Sequence, residues 1–339
     1  MEAGFIHPSL LLILGALLVP FLQGPLRRPY LMLVPLLALA AVILNAGQHG
    51  TFATFAFLDW QLVFGRVDKL STVFALIMGL MAVIGTIYGL HVDRAVEHMA
   101  AWFYAAGSLG AIYAGDYLTL FLFWEMMAFA SVFLIWFRRG PQSIAVGYRY
   151  LLVHTIGGVI LLAGIMLRYR AVGNITFALM DVANPQLYTW LIMIGLGLNA
   201  ALVPLHSWLP EAYSEASFNG AVFLCAFTTK TAVYTLARAC AGMDILVVAG
   251  VVMALYGVIY AVMENDIRKL LAWSIVSQVG YMVAGIGLGT DMAINGAVAH
   301  AVVHILYKSL LFMGTGAVLY MTGKTKFTEL GGLHAKMPL

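Results

Sequence analysis

Charge is what this sequence has least of. Only 10% of its 339 residues are charged, against 63% hydrophobic, where a soluble domain carries about 25% charge. That excludes an ordinary water-soluble fold and points to a polytopic membrane protein. Cysteine is nearly absent. Cys225 and Cys240 lie in or at the end of one apolar segment, and at ~1.5 Å of helical rise per residue they are too far apart to bridge within it. Neither a disulfide framework nor a CxxC metal site is present. The excess of basic residues is small, a net +3, and these residues cluster in short loops between apolar runs rather than in a nucleic-acid patch. The N-terminus, MEAGFIHPS, carries Glu2 and no basic residue, so the first apolar run reads as a retained helix, not a cleaved signal.

What fills the sequence is a succession of apolar runs. About twenty such residues cross a bilayer. The runs fall at 8–24, 30–46, 70–90, 98–115, 117–137, 147–167, 188–208, 217–238, 245–263, 269–288 and 294–321, which predicts an all-α bundle of eleven transmembrane helices. The stretches 47–69 and 168–187 read as the longest loops. The ending KFTELGGLHAKMPL reads as the lead-in to a twelfth helix. With the N-terminus outside, one side holds Arg27, Arg28, Arg94, Arg138, Arg139, Arg149, Arg268, Lys269, Lys324, Lys326 and Lys336, and the other Arg66, Lys69, Arg168, Arg170 and Arg238. Eleven against five makes the first side cytoplasmic.

One stretch breaks the pattern. From Gly195 to Lys230 an apolar helix meets Pro204 and Pro210, passes through a polar loop, and returns to helix with a lysine inside it. Irregular backbone at membrane depth is tolerated only where protein or a water-filled cavity satisfies it, and broken helices beside an intramembrane charge build ion pathways. The predicted broken-helix site is Asn199, Pro204, His206 and Pro210, with Glu211 and Glu215 as solvated or pore-mouth acids.

Charges inside the spans need a reason, because one at the bilayer centre costs at least ~2.5–3.5 kcal/mol. Glu125 and Lys230 lie inside theirs, and His300, His304 and Lys308 recur at i, i+4 and i+8, on one helix face. Bland alternatives exist: a protonated Glu125 bonded to a neighbouring helix, a snorkelling Lys230, a His154 that merely packs, and a His206 and Trp208 at the interface. The HxxxH pair lacks the glutamate and third ligand of a zinc site, so no metal and no cofactor are expected. Desolvation disfavours the charged form of an amine and free histidine titrates at about pH 6.5. A line of such groups joined by water is a proton relay, and the membrane field drives it with ~2.3 kcal/mol per charge per 100 mV.

FLFWE ending at Glu125, VPLHSWLPEA from Val203, TTKTAVYTLAR around Lys230, ENDIRKLLAWSIVSQVGYMVAGIG from Glu264, and HAVVHILYKSLLFMGTGAV from His300 together resemble the antiporter-like subunits. These are shared by respiratory complex I, energy-converting hydrogenases and Mrp-type multisubunit cation/proton antiporters, and the likeness is greatest to the D-type component of the Mrp antiporters. The resemblance implies five-helix units in inverted relation. It divides the chain into an N-terminal segment 1–97, a first antiporter-like unit 98–244 and the start of a second, 245–339, so that the inverted repeat is truncated. It implies that Glu125 tunes a lysine on the broken seventh helix, that Lys230 is the connecting lysine of the eighth, and that His300, His304 and Lys308 pass protons onward. It also exposes a departure: Asn199 stands where members with full proton machinery carry that seventh-helix lysine.

The resulting expectation is a proton-translocating subunit of a cation/proton antiporter in a bacterial-type inner membrane. Its partners would be other membrane subunits, the lipid bilayer, protons, and sodium or another monovalent cation, with no nucleic acid. The alternatives are a proton-pumping arm of a quinone reductase or hydrogenase, and a scaffold that has lost transport.

Overall fold

The computed structural model describes residues 4–337; Glu2 and the Lys336 side chain fall outside the described part. The chain opens with α1 (Pro8–Leu18), prolonged by a 3-10 turn, and α2 (Arg27–Asn45). A hairpin of β1 (Gly50–Phe57) and β2 (Trp60–Val67) follows, then α3 (Lys69–Tyr88), α4 (Ala95–Tyr113), α5 (Tyr117–Trp136) and α6 (Pro141–Val172). Next come α7 (Leu187–Asn199), α8 (Trp208–Glu215), α9 (Phe218–Ala226) and α10 (Thr228–Ala239). The chain closes with α11 (Asp244–Met263), α12 (Ile267–Leu288), α13 (Asp291–Thr322) and the single turn α14 (Leu333–Lys336). Among the described residues, 8 helical stretches are long and apolar enough to cross a membrane by length and composition; Pro8–Phe21 and Leu187–Asn199 are shorter apolar helices.

The helix ends follow capping chemistry. Asp68, Asp116, Ser217, Asp266 and Thr290 each stand just before a helix, and their side chains accept backbone N–H groups of its first turn, donors that otherwise lack partners. The two longest helices, α6 and α13, stop at Gly173 and Gly323 in the left-handed conformation, where a Cβ would be strained.

The bundle wraps around α9 and α10. Nearly every residue of the Phe218–Ala239 stretch is buried, whereas most residues of α11 and α13 are not, and these helices turn Val251, Leu255, Val303 and Leu310 outward. The central stretch is buried on every side although α10 carries Lys230, Arg238 and four threonines, so those polar groups need partners inside the bundle; the outer helices keep one face for lipid. α11 and α12 meet backbone to backbone, because a Cβ on Gly280 would lie 2.6 Å from Ala254 N and 2.6 Å from Gly250 O. Small residues that admit close approach are how membrane helices gain contact.

The all-α expectation needs correction at 47–69. That segment is not a loop but an antiparallel hairpin registering Phe57 with Trp60. Its content of threonine and phenylalanine, GTFATFAF over Gly50–Phe57, suits a pleated strand. The turn, Leu58-Asp59, contains no glycine, and Leu58 takes φ 53°, so the usual hairpin signal is missing. The 168–187 loop is also shorter than expected, because α6 continues through Arg168 and Arg170 to Val172.

The hairpin is tied to the central helix by ions. Arg238, at the end of α10, donates from Nη1 and Nη2 to the two carboxylate oxygens of Asp68 at 2.8 and 2.9 Å, and Arg66 Nε lies 3.2 Å from Asp68. Burial works against the Asp68 carboxylate, but the hydrogen bonds and charge of Arg238, helped by the Ser71 N–H and Arg66, hold its pKa at about 2. Its folded pKa lies below the unfolded value of ~3.9, so the pair stabilises fully above that value and the contribution is lost as pH falls toward 2. The thermal midpoint of the detergent-purified protein is therefore expected to drop on acidification from pH 5 to pH 3. Asp68→Asn should lower the midpoint at pH 7 and remove this part of the acid dependence. The cost should stay below the ~3–5 kcal/mol of breaking a fully buried pair, because the Asp68 side chain is 35% exposed.

Candidate functional site

Lys230 sits just past an interruption in the central helix. At Phe227 (φ −97°, ψ −64°) the helical hydrogen-bond ladder is interrupted, separating α9 from α10. The wedge is Tyr104 of α4, whose hydroxyl accepts the Thr228 N–H at 2.8 Å and lies 2.5 Å from Thr228 Oγ1. A side chain that enters the hydrogen-bond ladder breaks a helix as surely as proline. The run 217–238 is thus one span-length stretch made of two helical segments, α9 and α10. Lys230 folds back across the break, and its Nζ donates to the Cys225 carbonyl at 2.6 Å. Its side chain is fully buried, and it is paired with no carboxylate among the described residues.

Cys225 links this amine to α13. Its Sγ lies 3.5 Å from Ser309 Oγ, beside Lys308, whose Nζ donates to Ser274 Oγ of α12 at 2.7 Å. His300 and His304 follow on the same helix, with ring centroids 6.1 Å apart. His304 is wholly buried, and neither of its ring nitrogens has a partner among the described residues. The charge of Lys308 acts on Lys230, and both act on His304. The structure therefore gathers Lys230, His300, His304 and Lys308 into one polar row through α9, α10, α12 and α13.

Glu125 and Asn199 lie apart from that row. The half-buried Glu125 leans on α6, where a Cβ on Gly158 would overlap its Oε1, an atom with no hydrogen-bond partner among the described residues. Gly158→Ala should therefore destabilise the protein, and Glu125→Ala in the same chain should restore most of the loss. Melting of the two single variants and the double variant is expected to show a coupling of ~0.5–3 kcal/mol; strictly additive effects would refute the contact. Asn199 is the last residue of α7 and is buried with Nδ2 unpartnered.

Residues 200–207 are non-helical and contain Pro204 and His206. The His206 ring packs on Tyr256 at 4.8 Å and Trp273 at 5.5 Å. Trp208 closes the interruption by donating from Nε1 to the Leu198 carbonyl at 3.1 Å. It also packs against His154, which stacks on Tyr150 at 3.9 Å. One expectation changes here. Pro210 does not break a helix: it is the third residue of α8, in a first turn whose N–H groups have no helical partner to lose. The solvated Glu211 pairs with Arg149 at 3.0 Å, and the more buried Glu215 lies 3.6 Å from Arg138, so each acid carries an arginine partner that the sequence did not show.

Sequence reasoning missed Tyr104, Cys225, Ser274, Thr228 and Ser309. Residues this common carry no signature in the sequence, and nothing in Phe227-Thr228-Thr229 announces a break. Among the described residues no group of three His, Cys, Asp or Glu is placed to hold a metal ion.

Comparison with known proteins agrees with this architecture. The profile described as NADH:quinone oxidoreductase/Mrp antiporter, transmembrane, matches residues 114–339. The chain is 36% identical over 253 residues to the N-type component of the NADH-quinone oxidoreductase of Desulforudis audaxviator, covering 69% of this chain and 50% of that one. It is 28% identical over 306 residues to the D-type component of the Na(+)/H(+) antiporter of Alkalihalophilus pseudofirmus, covering 83% of this chain and 62% of that one. It thus spans about half to three-fifths of the length of these relatives. A chain in the structure of the Mrp complex from Dietzia sp. DQ12-45-1b superposes with a TM-score of 0.84 at 24% identity, covering 97% of this chain and 67% of that one. With two-thirds of its length matched by one family profile, this multi-pass membrane protein belongs to the NADH:quinone oxidoreductase/Mrp antiporter transmembrane family.

Proposed function

We propose that the chain is a proton-translocating subunit of a multisubunit membrane cation/proton antiporter, with Lys230 as the central carrier and His300, His304 and Lys308 as the onward relay. One observation carries this reading: Lys230 is fully buried and is held only by a backbone carbonyl at a helix break, with no counter-charge among the described residues. A permanently charged amine there is expensive, whereas an amine that takes and releases a proton has a use for the position. Glu125 tunes or gates access from the α5–α6 side.

The path fits an arrangement of eleven crossings. α7 and α8 together make the seventh, because at ~1.5 Å per residue neither alone spans ~30 Å of hydrocarbon. Residues 1–97, 98–244 and 245–339 act as three units, in a bacterial inner membrane with the N-terminus outside. Partner subunits complete the complex, and sodium or another monovalent cation is exchanged. The test is Lys230→Ala or Lys230→Met in the assembled complex: pH-gradient-driven cation exchange in inverted vesicles should collapse.

A second reading, a proton-pumping arm of a redox complex, is supported by the likeness to the N-type component of a quinone oxidoreductase; copurification of iron–sulfur or hydrogenase subunits would select it. A scaffold role draws support from Asn199 and from a Glu125 without a charged partner. It predicts that joint replacement of Glu125, Lys230 and Lys308 leaves ion transport by the complex intact.

A further inference from the structure

A cleft of about 360 Å³ opens on the face of the bundle that carries Arg94 and Arg138, lined by His91, Glu97, Arg138, Ser217, Phe218 and Tyr320 among others. On its wall Glu97 of α4 is 4% exposed, and its Oε1 accepts the Ser217 hydroxyl at 2.6 Å. Capping explains Ser217, whose Oγ accepts the Gly220 N–H at 2.9 Å. It does not explain why a carboxylate is sunk beside it.

Behind Ser217 the polar groups continue inward. Asn219 is fully buried, and neither its Oδ1 nor its Nδ2 has a partner among the described residues. It abuts the turn at Gly89, where a Cβ would lie 2.7 Å from Asn219 Nδ2, two residues before His91 of the cleft. An amide with both ends unpaired inside a membrane bundle is costly unless water or a passing solute meets it. Tyr88, next to that turn, donates its hydroxyl to the Met313 carbonyl at 3.1 Å. One turn before Met313 on α13 is Ser309, which meets Cys225. From Ser217 to Cys225, α9 advances by eight residues, ~12 Å at 1.5 Å per residue, and the Cys225 carbonyl holds Lys230.

We propose that this cleft is the mouth through which protons reach Lys230, with Glu97 as the first acceptor and Ser217 and Asn219 as the next groups inward. The proposal rests on the proton-handling reading of Lys230. A proton from bulk water adds to the Glu97 carboxylate and makes a neutral acid, which donates where the carboxylate accepted. The neutral acid then donates to Ser217 Oγ as the Ser217 hydrogen passes to water held at the Asn219 amide, which orients that water without itself taking a proton, so one proton enters the water chain toward Lys230 for each one Glu97 takes up.

Besides Glu97, the charged and titratable groups around the mouth are His91, Asp93, Arg94, Arg138, Arg139, Glu215, Tyr320 and the buried Arg268, four arginines against the acids Asp93 and Glu215. The guanidinium of Arg268 donates to the Ala216 and Ser217 carbonyls at 3.0 and 3.3 Å. Their net positive field opposes a hydrated metal cation, while a proton seated on a carboxylate crosses as part of a neutral group.

The experiment uses the assembled complex in native membrane vesicles. Glu97→Gln should slow pH-gradient-driven exchange at least tenfold, with Glu97→Asp keeping most of it. Ser217→Cys should react with a membrane-impermeant thiol reagent from the Arg94–Arg138 side only, the label being read on this chain after separation from the other subunits and against the unsubstituted chain, whose Cys225 and Cys240 are buried. Full exchange in Glu97→Gln, or an unreactive Ser217→Cys, overturns the mouth; if Glu97→Gln does not assemble, the labelling result decides. Lys230→Met separates the two ideas. Loss of exchange there with normal exchange in Glu97→Gln sinks the mouth alone, and normal exchange in Lys230→Met sinks the carrier reading.

Discussion

Lys230→Met is expected to cut proton-coupled exchange by about a hundredfold while the complex still assembles. With no group to hold it, a proton near the bilayer centre carries a penalty of at least ~2.5–3.5 kcal/mol, and each ~1.4 kcal/mol is a factor of ten in rate. Stability should move the other way. Lys230 is fully buried, and its Nζ makes one hydrogen bond, to the Cys225 carbonyl. Replacing an uncompensated buried charge by an apolar side chain of similar volume is usually neutral or stabilising. Lys230→Ala adds a cavity, with a cost of ~2–5 kcal/mol for large-to-small changes, so methionine is the cleaner probe. A methionine variant that melts at or above the wild-type temperature and does not transport identifies a carrier. One that transports normally identifies a packing residue.

Gly280→Leu should remove the folded protein altogether. The Cβ alone would lie 2.6 Å from Ala254 N and from Gly250 O, and both are backbone atoms of α11. No rotamer change relieves such a clash, so the helices must part along their seam. Overpacking a tight core costs ~1–3 kcal/mol when side chains can yield, and more where only backbone can. Against a typical net stability of ~5–15 kcal/mol, that is enough to lose the assembled complex on size-exclusion chromatography. The neighbouring Tyr281 is 58% exposed on the lipid side, and Tyr281→Leu should leave the elution profile unchanged.

Much of the site was legible because hydrocarbon makes charge conspicuous. Glu125, Lys230, His300, His304 and Lys308 stand out in apolar runs, and helical spacing alone puts the last three on one face. What pairs with them was not legible. The Cys225 carbonyl and Ser274 Oγ accept the two lysines, and residues this common carry no signature until the fold brings them within 3 Å. Pro210 misled because proline breaks a helix in its interior but starts one in its first turn. The arginines facing Glu211 and Glu215 come from the α5–α6 connection and from α6, far off in sequence.

The interruption around Pro204 has a counterpart. Sequence by itself determined the membrane class, the apolar runs and the intramembrane charges, because each depends on local composition and period. Tertiary structure alone decided that a second break falls at Phe227, where Tyr104 of another helix takes the Thr228 N–H. It alone seated Lys230 on the carbonyl across that break and sank Glu97 beside Ser217. These are contacts between groups more than a hundred residues apart, or across a kink one of them creates, and no local pattern encodes them.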